Sequence, residues 1–199
     1  MRDLIRNQLR ESAEVKIKTA ELLSPAIARA AHMVIEAYRK GGKLLLIGNG
    51  GSAADAQHIA AELVGHLDHT RLVRRALPAL ALTTNSSILT AIGNDHGYDS
   101  VFARKVEAFA DNGSDILMAI TTSGNSPNIL KAVEAAKAKG ISVIGLTGKG
   151  GGKLKDMVDL ALIVPSHNTQ RIQETHIVIG HIICDLVERG LFQDEPLTL

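Results

Sequence analysis

The stretch LLLIGNGGSAADAQHIAAELVG, residues 44–65, passes from an apolar run through a glycine-rich loop into a helical pattern carrying His58 and Glu62. Strand, loop and helix in that order form the repeating unit of α/β folds. Working outward, four more short apolar runs follow: ALALT (79–83), DILMAIT (115–121), ISVIGLT (141–147) and DLALIV (159–164). They are continuously apolar rather than alternating, as expected of parallel strands buried on both faces. Helix-length segments such as 52–66 and 127–139 separate most of them. Upstream, residues 2–23 read as a helix, with Leu4, Ile5 and Leu9 at helical spacing. Ser24-Pro25 reads as the cap and first residue of a second helix, which Gly41-Gly42 stops. A last helix spans about 168–190. The expectation is one α/β domain over residues 1–199. It is a three-layer, doubly wound, five-stranded parallel sheet of order 2-1-3-4-5, with extra N-terminal helices and a long C-terminal helix.

Composition narrows the function classes. There are 22 Lys+Arg against 21 Asp+Glu, so no basic excess suits a nucleic-acid track. Arg71, Arg74 and Arg75 form the one basic cluster, read as a solvated rim. Aromatic residues make up 3% of the chain, too few for a base-stacking platform. The lone Cys184 rules out an intrachain disulfide and reads as a packed core thiol. The opening MRDLIRNQLRESAE has no apolar signal-peptide core, and HIVIGHIICDLV is too short to span a bilayer. A soluble cytoplasmic protein is expected, with neither nucleic acid nor membrane as partner.

Gly48-Asn49-Gly50-Gly51-Ser52-Ala53 fits the dinucleotide pattern G-x-G-x-x-A. That pattern needs an acidic residue at the tip of the second strand to hold the ribose. The second strand ends Thr83-Thr84-Asn85-Ser86, with no carboxylate, so a nicotinamide cofactor loses most of its support. Neither Gly148-Lys149 nor Gly152-Lys153 completes a P-loop. A glycine turn at a helix N-terminus still favours an anion. The alternative for this loop is a tight turn with Ser52 as a cap, and the two readings balance. The second loop, AITTSGNSPNIL, supplies Thr121, Thr122, Ser123 and Ser126 around a glycine at another helix start. Ordinary capping competes there, but four hydroxyls favour a phosphate monoester. In the order 2-1-3-4-5, the loops after strands one and three flank the switch point where ligands bind.

His58 and Glu62, four apart, share a helix face, and Gln173 and His181 lie eight apart on the closing helix. Taken singly, each reads as a surface pair or as packing. If the two helices meet at the crevice, His, His, Glu and Gln could hold a divalent ion such as zinc. His32, His69, His96 and His167 read as solvated or capping. His176, three residues from Gln173, could orient a ligand from behind.

GNGGSAADAQHIAAE, AIGNDHGYDSVF, TTSGNSPNILKAVEAAK, VIGLTGKGGG and RIQETHIVIGH, in this order, resemble the phosphoheptose isomerases of the sugar isomerase (SIS) domain family over nearly the whole chain. The resemblance implies an aldose–ketose isomerase acting on sedoheptulose 7-phosphate through an enediolate. It implies a homotetramer whose packing uses residues 1–40, and one zinc per subunit on His58, Glu62, Gln173 and His181. Catalysis would fall to Glu62 and His181. Substrate would meet Asn49, Gly50, Gly51, Ser52, Glu62, Asn94, Asp95, Thr121, Thr122, Ser123, Ser126 and Gln173, with Asp95 on the GNDHGYD loop. Three positions depart from the family's habit: Thr121 for serine, His66 for arginine, and Arg75-Ala76-Leu77-Pro78 ahead of the second strand. The alternative is a non-catalytic SIS relative that binds the replication initiator or a phosphosugar. The complete set of His58, Glu62, Gln173 and His181 favours the enzyme.

Overall fold

The computed structural model describes residues 1–67, 74–111 and 113–192. Five parallel strands form one sheet of order β2-β1-β3-β4-β5, as expected from the sequence. They are β1 (Leu44–Gly48), β2 (Ala79–Ala81), β3 (Ile116–Ile120), β4 (Ser142–Thr147) and β5 (Leu160–Ile163). The helices are α1 (Arg2–Arg39), α2 (Gly51–Val64), α3 (Ser86–His96), α4 (Val101–Phe109), α5 (Pro127–Ala138) and α6 (Thr169–Phe192).

Strand alternation builds two cores from one sheet. Leu44, Leu46, Met118, Ile144 and Leu162 face α1, α2 and α6. Leu45, Ile47, Leu117 and Val143 face α4 and α5. Both faces being covered explains why the strands read as unbroken apolar runs. Cys184 is buried among the first group, its thiol 4.0 Å from the Ile59 carbonyl, and burial pushes that thiol up to about 12.

The expected break at Ser24-Pro25 does not occur. A single helix of 38 residues runs through Pro25. An interior proline costs about 3 kcal/mol through its missing N–H and ring clash. Here Val15 and Thr19 before it, and Ile27, Ala30, Ala31 and Val34 after it, are all buried. Breaking the helix would expose that shared face, so packing outweighs the local penalty. Further along, Arg171 Nη1 on α6 donates to the Gln8 carbonyl at 2.6 Å, and Ser12 Oγ donates to Glu174 Oε2 at 2.7 Å.

The basic rim needs a correction. The Arg74 side chain is 2% exposed and paired with Glu188 of α6, itself 6% exposed. Its Nε donates to Glu188 Oε1 at 2.8 Å. Its two terminal nitrogens donate to the carbonyls of Leu63 and Glu62, both at 2.9 Å. Those carbonyls belong to the open end of α2, where a cation is favoured. An arginine in a basic cluster reads as surface, yet this one ties α2 to α6. Arg75 is exposed, and Arg71 and His69 lie outside the described residues.

Removing one member of a buried pair strands the other's charge. Arg74→Ala should therefore lower unfolding free energy by about 3–5 kcal/mol. Replacing Arg74 and Glu188 together with leucine should cost much less. Urea denaturation midpoints of the two variants check this.

Candidate active site

Two glycine-bearing loops and two helices meet at the C-terminal edge of the sheet. The first loop leaves β1 and enters α2 with Gly50 as the cap residue, at φ +54°. Ser52 is therefore not the cap; it sits in the first turn, buried, its N–H donating to the Asn49 carbonyl at 3.0 Å. A Cβ on Gly51 would fall 1.8 Å from Gln173 Nε2, so the glycine is what lets the α6 amide lie on this loop.

The second loop leaves β3 and enters α5. Thr121 is buried, and its Oγ1 lies 3.1 Å from Ser126 Oγ and 3.5 Å from Ser123 Oγ. Ser126 is the cap residue of α5 by position, but its hydroxyl caps nothing. It faces Thr121 instead, so the hydroxyls cluster rather than serving the helix end. Thr122 is half-buried beside them. The glycine strap after β4 braces this loop from behind: Leu154 N donates to the Gly124 carbonyl at 3.0 Å and Lys153 N to Asn125 Oδ1 at 3.1 Å.

The two loops are tied to each other. Asn49 Nδ2 donates to Asn128 Oδ1, and Asn128 Nδ2 donates to Asn49 Oδ1, both at 2.9 Å. Tyr98 Oη adds a bond to Asn49 Oδ1 at 3.2 Å. Asn94 and Asp95 stand on the last turn of α3, not on a loop, with Asn94 Nδ2 donating to Asp95 Oδ1 at 2.7 Å. Both are exposed.

Farther along α2, the helix-borne groups converge. Gly180 of α6 packs on Ile59 of α2 so closely that a Cβ at 180 would sit 2.7 Å from the isoleucine side chain. The residues next to each contact then meet: His58 Nε2 lies 2.8 Å from His181 Nε2 and 3.2 Å from Glu62 Oε1. The three donor atoms lie within 4.8 Å of one another, the one such cluster among the described residues. Two imidazoles and a carboxylate are a zinc-type donor set, open on the solvent side, where His58 is exposed. The structure thus brings His58, Glu62 and His181 together and sets Gln173 against Gly51.

Two buried polar residues escaped the sequence reading. Asp55 lies one turn before His58, and burial pushes its carboxyl up to about 6 while His58 pulls it down. Asn128 is 2% exposed. Each breaks an apolar stripe at helical spacing: Asp55 with Ile59 and Leu63, Asn128 with Ala132 and Ala136. A polar side chain in register with such a stripe was the available signal. His176 is fully buried; burial pushes its ring down to about 4, opposed by the Thr147 backbone, and no hydrogen bond joins it to Gln173 among the described residues. His32, His96 and His167 are exposed.

Comparison with known proteins accords with this geometry. The SIS domain model matches residues 9–148. A phosphoheptose isomerase of Geobacter sp. (strain M21) is 57% identical over 96% of this chain and 98% of its own length. The structure of a phosphoheptose isomerase from Francisella tularensis superposes with a TM-score of 0.89 at 43% identity, covering 94% of this chain and 97% of that one. The structure of the Neisseria gonorrhoeae phosphoheptose isomerase gives 0.88 at 42% identity, over 94% and 98%. On this likeness over almost its whole length, the chain belongs to the SIS domain family, among the phosphoheptose isomerases, and is an isomerase.

Proposed function

We propose that the enzyme converts D-sedoheptulose 7-phosphate, a 2-ketose, into the aldose D-glycero-D-manno-heptose 7-phosphate. This would be the first step toward ADP- or GDP-heptose for lipopolysaccharide or a related glycan, in the cytoplasm. The observation that carries the reading is the meeting, within 4.8 Å, of His58 and Glu62 on the helix that starts at the first loop with His181 of α6. His58 stands seven positions beyond Gly51, roughly 10 Å of helical rise. That distance suits a substrate with an anion at one end and a carbonyl several carbons away.

The phosphate would rest on Ser52, Thr121, Thr122, Ser123 and Ser126, aided by the first-turn N–H groups of α2 and α5. Asn49, Gly50, Gly51, Asn94, Asp95 and Gln173 would bond the sugar hydroxyls. His58, Glu62, Gln173 and His181 would hold one zinc ion per subunit, which would supply Lewis-acid stabilisation of developing negative charge. Glu62 takes the proton from C1, and the C–H pair becomes the C1=C2 bond of the enediolate. Glu62 then returns the proton to C2. His181 moves the second proton between O1 and O2, so the product is an isomer with nothing gained or lost.

The apolar outer faces of α1 and α6 support a homotetramer with residues 1–40 in its contacts. Leu4, Leu9, Ile17 and Leu22 of α1 and Ile182 of α6 are exposed, an arrangement soluble monomers seldom keep. A cavity of about 270 Å³ lies between these helices, lined by Ile27, Val178, Ile179, Ile182 and Leu186 among others.

Three outcomes test these assignments. Incubation with sedoheptulose 7-phosphate should yield an aldose heptose phosphate, and Glu62→Gln should slow turnover by at least about a hundredfold. A variant that turns over normally would remove Glu62 as the base. Exhaustive chelation should abolish turnover and added zinc should restore it; activity that survives chelation would end the metal assignment. Sedimentation should give the mass of four chains, and Leu9→Glu with Ile17→Glu should release smaller species.

A further inference from the structure

We infer that Asn128, which nothing above places in contact with substrate, is a positioning residue that acts through Asn49. The inference rests on the proposed reaction. Asn128 is 2% exposed, so it lies beneath the crevice rather than in it. Its amide is nevertheless wholly engaged with one neighbour: both polar atoms pair with both polar atoms of Asn49, each at 2.9 Å. A side-chain amide turns freely about its last bond, with broad torsional preferences. Asn49 is only partly buried and water would compete for its amide. The reciprocal pair, with the Tyr98 hydroxyl at 3.2 Å from Asn49 Oδ1, holds the plane of that amide in place.

The same pair sets the width of the crevice. Asn49 belongs to the loop after β1 and Asn128 to the first turn after the hydroxyl loop. Among the described residues no other side-chain hydrogen bond joins these two segments. With Asn128 gone, the phosphate end and the sugar end of the crevice lose their mutual register. Orientation and spacing matter alike for bound ketose and for the enediolate, so the loss falls on KM more than on kcat.

A double-mutant cycle tests this, with kcat and KM for sedoheptulose 7-phosphate and a melting temperature measured for each protein. The four proteins are the unaltered enzyme, Asn49→Ala, Asn128→Leu and the pair. Asn128→Leu should lower kcat/KM about tenfold, mainly through KM, the scale of one net hydrogen bond. In the Asn49→Ala background the same change should alter kcat/KM by less than about twofold, because its target is already gone. An equal loss in both backgrounds, tracking a fall in melting temperature, overturns the inference and leaves Asn128 as packing. Should Asn128→Leu not fold, Asn128→Ser takes its place in the cycle. An unaltered enzyme inactive on the substrate would instead defeat the proposed reaction, and this inference with it.

Discussion

The close crossing of α2 and α6 is the contact on which the rest of the site depends. Gly180 allows it, since any side chain there would collide with Ile59. One stripe of α6 then works against α2 at several heights: Gln173 on Gly51, Cys184 beside the Ile59 carbonyl and Glu188 joined to Arg74 at the end of α2. These positions recur at about whole turns, so they share one face of the helix. His181 flanks that face, beside the glycine that brings the helices together. Two groups 123 residues apart in sequence thereby come within 2.8 Å. Helix contact, not loop conformation, sets their separation, and rigid elements hold reacting groups more tightly than loops do.

Polar groups placed in otherwise apolar stripes lower stability unless they are paired. Asp55 and Asn128 occupy such places, and the Arg74 guanidinium is buried from the loop ahead of β2. Asn128 is paired with Asn49, and Arg74 with Glu188 and two helix-end carbonyls. Asp55 is the exception, because its Oδ2 is buried without a protein hydrogen-bond partner. Burial holds that carboxyl well above its ordinary range, next to His58, where a titratable neighbour has the most influence.

The sheet could be read from the chain because five unbroken apolar runs have few other uses at that length. The loops could be read because glycines and clustered hydroxyls break up helical and strand patterns visibly. What escaped was pairing at long range. Nothing around Arg74 announces Glu188, 114 residues away, so a charge beside another arginine reads as surface. Pro25 misleads for a related reason: its local signal marks a helix start, while the face that carries α1 past it is buried only against α6 and the sheet. Asp95 reads as a loop residue in the sequence, whereas α3 persists to His96 with Gly97 as its C-cap. The His58–Glu62 spacing was visible, but its meaning depended on Gly180, a residue whose role appears only across a helix interface.

The site therefore divides between two kinds of support. The end proposed to hold the anion is made of strand-end loops held by hydroxyl contacts, a glycine strap and an amide pair. The end proposed to move protons is made of two helices held by close packing and a buried ion pair. The supports share few residues, so either end can change while the other stays. Thr121 illustrates this: it stands where the family more often has serine, yet its hydroxyl keeps the bond to Ser126 and its added methyl is buried. His58, Glu62 and His181 at mutual contact, beside the hydroxyl cluster, are the groups that the proposed isomerisation would use at once.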